Sequence, residues 1–189
     1  MQPAALRLQS GDKLLGLVRF RGASKMTPSL QTLRFDGAIL QRGFWLYVWE
    51  ITPTGEAPLY YVGRTGDSSS THAQSPFNRM GQHLGFKEAS NALRRRLLAR
   101  GVTPEDCHFK LVAVGPLDAE STEDSRAEHD ERRDRIAAME KALADLMLEA
   151  GYKVINKVHR KKTLDHQMFD VTRLAFAGAF SKIRTGEQP

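Results

Sequence analysis

A chain of 189 residues with 41% hydrophobic and 26% charged side chains has the composition of one globular domain with room for terminal extensions. No apolar run reaches the roughly 18–20 residues of a membrane span, and none near the N-terminus has the length of a signal peptide. Cys107 is the sole cysteine, so neither an internal disulfide nor a Cys-rich zinc site can form, and a cytoplasmic location is expected. The net charge of +6 is unevenly placed: residues 1–42 hold seven basic and two acidic side chains, residues 43–152 hold 13 and 17, and residues 153–184 hold eight and two. Basic ends around a mildly acidic centre fit a polyanionic partner and, equally, a solvated surface.

In chain order, Leu14–Phe20 and Thr32–Leu40 are strand-like runs without an assigned place. Phe44–Ile51 is aromatic and branched, as a buried strand requires. Thr52–Pro58 has turn composition, and Leu59–Gly63 follows as the second arm of an antiparallel hairpin. Residues 66–75 form a polar loop ending in Ser75-Pro76, a cap and first-turn proline for a helix to about Leu84. That helix places Arg79 and His83 on one face. A second helix is expected over Lys87–Arg100, stopped by Gly101, then a strand over Cys107–Val114. Glu120–Glu149 reads as a long helix, with Ile136, Met139, Leu143, Leu146 and Met147 sharing a face. A basic stretch, Lys157–Lys162, precedes a helix over Asp165–Ile183 whose Phe169, Thr172, Phe176, Phe180 and Ile183 form a packing stripe. His72 and His129 lack metal-ligand spacing and are expected at the surface.

Tyr47 on the first strand, Tyr61-Val62-Gly63 on the second, Arg79-Met-Gly-Gln-His83 on a helix, Glu140 on the long helix and Asn156 beyond it form an ordered set. Together they resemble the GIY-YIG nuclease family over about residues 43–157. The first motif keeps only its tyrosine, and Val62 stands where the family has isoleucine. Glu149 competes with Glu140; Glu140 is favoured because Leu143 follows three residues later and because its distance to Asn156 suits the pattern of the family that the set resembles.

The resemblance implies metal-dependent hydrolysis of DNA phosphodiester bonds by an α/β (α+β) domain with a small, mostly antiparallel sheet flanked by helices. Arg79 suits phosphate, because its planar donors make two hydrogen bonds to phosphate oxygens. Glu140 is a hard oxygen ligand for one Mg²⁺, with Mn²⁺ able to substitute. Tyr47 is the implied general base or water-orienting group, with Tyr61 and His83 as alternatives or relays. A free tyrosine has a pKa near 10, so half-ionisation at neutral pH needs about 4 kcal/mol of help, and Arg64 after Gly63 is the candidate cation. Asn156 would fix Glu140 or the tyrosines, or pin the helix to the sheet. Gly63, Arg64, Lys157, Arg160, Lys161 and Lys162 are the substrate-binding candidates; Arg94-Arg95-Arg96 is either a phosphate contact or a solvated face.

These readings divide the chain into a basic N-terminal extension (1–42), a nuclease domain (43–157) and a basic helical extension (158–189). Double-stranded DNA is the expected partner, with a homodimer for double-strand cutting and a restriction or defence role. Two alternatives stay open: a non-catalytic nucleic-acid-binding protein on the same scaffold, and a structure-specific repair nuclease.

Overall fold

The computed structural model describes residues 28, 30–66, 72–86, 91–118, 125–159 and 162–184. The chain divides into two units, Met1–Arg34 and Phe35–Pro189. In the first, the described residues are exposed and form no regular element. Leu14–Phe20, Arg160 and Lys161 lie outside the described residues. Thr32–Leu40 is not a strand. Asp36 accepts a hydrogen bond from the Ala38 amide at 2.8 Å and starts a short 3-10 turn, Gly37–Leu40. This local side-chain bond competes with extended pairing.

The second unit is α+β. Strand β1 (Phe44–Pro53) lies between β2 (Leu59–Arg64) and β3 (Cys107–Asp118) in an antiparallel sheet of order β2-β1-β3. A central strand covered on both faces reads as a continuous apolar run, and β1 is buried along most of its length. Tyr47 pairs with Gly63, and Trp49 with Tyr61.

Helix α1 (Pro76–Leu84) begins as its sequence predicts, with Ser75 Oγ accepting from the Asn78 amide at 3.3 Å. Helix α2 covers Ala92–Leu98. Gly101, at φ +73°, closes the turn after it, a conformation that suits glycine. Helix α3 runs over Arg126–Glu149 from a Ser125 cap, and α4 over His166–Ala179 from an Asp165 cap. None of these described helices is long and apolar enough to cross a membrane.

Successive strand residues point to opposite faces, so the sheet carries a core on each side. On one, Phe44, Leu46, Val48 and Val62 pack with Ile136, Met139, Leu143 and Met147 of α3 and with Phe169 and Phe176 of α4. The predicted stripe Phe169, Thr172, Phe176, Phe180 and Ile183 is buried there, so the C-terminal helix belongs to the same core as the sheet. His129 belongs on this side too. It is 1% exposed, with its ring 5.3 Å from that of Phe44, and is not the surface residue its spacing suggested. On the other face, Tyr47, Trp49, Ile51 and Tyr61 pack with Leu93 and Leu97 of α2, and Met80 and Leu84 of α1 border them. Residues 35–42 reach α1, with the Phe35 and Phe77 rings 5.1 Å apart.

Candidate active site

One cavity of about 110 Å³ gathers Tyr47, Tyr61, Gly63, Arg64, Arg79, His83 and Glu140. They come from β1, β2, α1 and α3, separated by up to 93 positions in sequence. Pairing of β1 with β2 sets Tyr47 opposite Gly63. The Tyr47 ring lies flat against that glycine: a Cβ there would stand 2.5, 2.6 and 2.7 Å from Tyr47 Cε2, Cζ and Oη. Gly63 is thus required by the close approach of a ring rather than by a turn.

The Tyr47 hydroxyl and His83 Nε2 are 2.6 Å apart, and both side chains are buried. Burial, reinforced by the nearby Arg79 charge, lowers the His83 pKa to about 4, so the imidazole is neutral at neutral pH. Among the described residues, His83 Nδ1 has no hydrogen-bond partner. Burial raises the Tyr47 pKa above the ordinary 10, and the charges of Tyr61 and Glu140 add to that; Arg79 opposes it by charge and hydrogen bonding. Tyr61 is likewise raised, first by burial and then by Glu140. The cation facing Tyr47 is therefore Arg79 and not Arg64, the sequence-based candidate.

Arg64 is held elsewhere. Its Nε donates to Glu140 Oε2 at 3.1 Å, and its Nη1 donates to the Gly66 carbonyl. Burial pushes the Glu140 carboxyl up from its usual range, against the charges of Arg64 and Arg79. Among the described residues, Glu140 is the one carboxylate around this cavity. Among the described residues, no three His, Cys, Asp or Glu side chains cluster as metal ligands. A single hard carboxylate suits Mg²⁺, which keeps several waters, better than metals bound by a full protein cage.

Asn156 lies apart from the cavity. Its carboxamide accepts from the Val62 amide at 3.0 Å and donates to the Val62 carbonyl at 2.7 Å. It continues a short parallel bridge in which Tyr60 N meets Lys153 O and Ile155 N meets Tyr60 O. Asn156 thus completes the outer edge of β2 and, among the described residues, its side chain hydrogen-bonds to the Val62 backbone rather than to Glu140 or the tyrosines. Lys157 is exposed, and Lys162 pairs with Asp134 at 2.9 Å; neither lines the cavity.

Two residues not singled out in the sequence complete the arrangement. Gln82 Oε1 accepts from Arg79 Nη1 at 2.6 Å, and Gln82 Nε2 donates to Gln74 Oε1 at 2.8 Å. The signal for Gln82 was its i+3 position from Arg79 on a helix. Gln74, in a polar loop, had none. Chemically, the cavity offers a neutral phenol–imidazole pair, a held guanidinium and a carboxylate–guanidinium pair. Comparison with protein families, curated proteins and solved structures yields no match to this chain.

Proposed function

We propose that this protein is a metal-dependent endonuclease of the GIY-YIG type, acting on DNA phosphodiester bonds. One observation carries the reading: seven of the described residues, from four elements, surround one small cavity, and six of them, Tyr47, Tyr61, Gly63, Arg79, His83 and Glu140, belong to the ordered set that resembles that family.

In this reading Arg79, oriented by Gln82, binds the non-bridging oxygens of the scissile phosphate. Water attacks phosphorus and passes a proton to the Tyr47 oxygen, while Tyr47 passes its own to His83 Nε2 across the 2.6 Å contact. The raised Tyr47 pKa makes a free phenolate costly, so the two transfers are concerted. The negative charge of phosphate near His83 raises its basicity from the resting value and helps it hold the proton. The new P–O bond forms as the bond to the leaving sugar oxygen breaks. Mg²⁺ held by Glu140 and waters would supply charge neutralisation at the phosphate and the leaving oxygen.

The test is supercoiled plasmid incubated with the wild type and with Glu140→Ala, in Mg²⁺ and in EDTA, with binding followed in parallel. Metal-dependent cleavage that is lost in the variant while binding persists is the expected result. Arg79→Ala should lower cleavage by about 10²–10³-fold. The second reading, a non-cleaving nucleic-acid binder, draws on the Arg64–Glu140 pair, which already neutralises the carboxylate without metal. It requires binding with no cleavage and indifference to Glu140→Ala.

A further inference from the structure

The turn after α1 carries Phe86, whose ring is 83% exposed. Isolated exposed apolar residues are common, but this one sits in a built setting. The Arg94 guanidinium lies 4.4 Å from the centre of the ring. Arg94 is itself fixed by Glu105 and donates to the Leu84 carbonyl at 3.5 Å. Asn91, 2% exposed, donates its Nδ2 to the Gly85 carbonyl, so both ends of the α1–α2 connection hold the backbone that presents Phe86. Phe86, Asn91, Arg94, Arg95, Leu98 and Ala99 surround a cavity of about 500 Å³, within the usual range for small-ligand sites. Asn91 Oδ1 is buried and, among the described residues, accepts no hydrogen bond.

We infer that this cavity binds an unpaired nucleobase of the DNA substrate, stacked on Phe86, with Asn91 Oδ1 accepting from the base edge and Arg95 taking the adjoining phosphate. Every base has an aromatic face, and each has an N–H donor on its pairing edge, so the site is sequence-tolerant. Arg95 is exposed and forms no ion pair among the described residues. The charges of Arg95 and Arg96 also reach Tyr61, which ties this side of α2 to the active site. The inference rests on the nuclease reading for its substrate, and it narrows that substrate to DNA with an unpaired base beside the cut.

The test is fluorescence anisotropy in EDTA, with a labelled single-stranded oligonucleotide and the fully paired duplex of the same sequence. Phe86→Ala should weaken single-strand binding by about 5- to 150-fold, equivalent to about 1–3 kcal/mol for one stacked base, and leave duplex binding unchanged. Phe86→Trp should restore it. Arg95→Ala should weaken both and reduce the salt slope by about one. Equal single-strand binding by wild type and Phe86→Ala, equal losses on both probes, or no single-strand binding by the wild type overturns the inference. Plasmid cleavage by the same preparations separates the two readings. Cleavage with indifference to Phe86 removes the base site alone, and Phe86-dependent binding without metal-dependent cleavage removes the nuclease alone.

Discussion

On the face covered by α3 and α4, the strands present Phe44, Leu46, Val48 and Val62 to an almost entirely apolar partner surface. Thr172, buried there, donates to the Met168 carbonyl at 2.8 Å. On the opposite face the same strands present Tyr47, Trp49 and Tyr61, and His83 packs edge-on to both tyrosines. Trp49 Nε1, His83 Nδ1 and Asn91 Oδ1 are all buried on this second side without a hydrogen-bond partner among the described residues. Each such atom costs about 1–3 kcal/mol. Among the described residues the α3–α4 side has one such atom, Arg135 Nε on α3, so the second face is the one that gives up more stability to hold polar groups in fixed places.

The largest effect that tests this contrast is Phe176→Ala. Phe176 is fully buried on the apolar face, and its loss should cost about 3–5 kcal/mol in denaturant unfolding, with cleavage per folded molecule unchanged. Asn156→Ala comes next, because it strips partners from both the amide and the carbonyl of the fully buried Val62. At about 1–3 kcal/mol for each of the two groups the expected loss is about 2–6 kcal/mol. Asn156→Asp should recover part of it, since the carboxylate still accepts from the amide. A normal denaturation midpoint in Asn156→Ala would remove the edge-pairing role and return Asn156 to the chemistry.

A third test uses pH. Burial, then the Arg79 charge, holds His83 at about 4, whereas in the unfolded chain it titrates near 6.5. Between these values the unfolded state binds the extra proton, so stability falls as pH drops through that window, by about 3 kcal/mol in all. Glu140 is shifted upward, which acts in the opposite sense: its contribution is present at low pH and is lost as pH rises through its folded pKa. The difference between wild type and His83→Phe isolates the histidine. The variant should lack the acid-side loss, keep or gain stability at neutral pH, and lose about 10²–10⁴-fold in cleavage. A destabilisation as large as that of Phe176→Ala would erase the distinction between the faces.

The same contrast explains what could be read from the sequence. The apolar face is a matter of periodicity, so Ile136, Met139, Leu143 and Met147 on α3 and the phenylalanine stripe of α4 were legible at helical spacing. The hairpin, the Ser75-Pro76 helix start and the Gly101 stop follow from local chemistry and were legible too. The site depends on which elements meet, and periodicity carries no such information. That Arg64 pairs with Glu140, 76 positions away, and that Arg79 is the cation beside Tyr47, follow from where α3 and α1 cross the sheet end. Asn156 was legible as important, but its use as a backbone partner depends on the Val154 bridge to Tyr60. His129 was misplaced because a charged helical segment gives no sign that one of its turns lies under Phe44.

The smallest effect concerns the contact that joins the two halves of the hairpin. Gly63 sits in ordinary extended backbone, so alanine is not excluded by its dihedral angles; it is excluded by the Tyr47 ring, whose Cε2, Cζ and Oη all lie within 2.7 Å of the new Cβ. The ring is fully enclosed and touches His83, so it cannot swing aside without moving the phenol–imidazole contact. Gly63→Ala should cost about 1–3 kcal/mol of stability, the range for overpacking a tight site, and should also lower cleavage because Tyr47 moves. Tyr47→Phe keeps the ring and should leave that cost in place. Tyr47→Leu removes it, so Gly63→Ala should be nearly neutral for stability in that background. The double-mutant cycle between Gly63→Ala and Tyr47→Leu then shows a coupling of similar size to the single cost, whereas the cycle with Tyr47→Phe shows almost none. Equal costs in both backgrounds would mean that the glycine serves the strand rather than the tyrosine, and that the Tyr47 position is set from the His83 side alone.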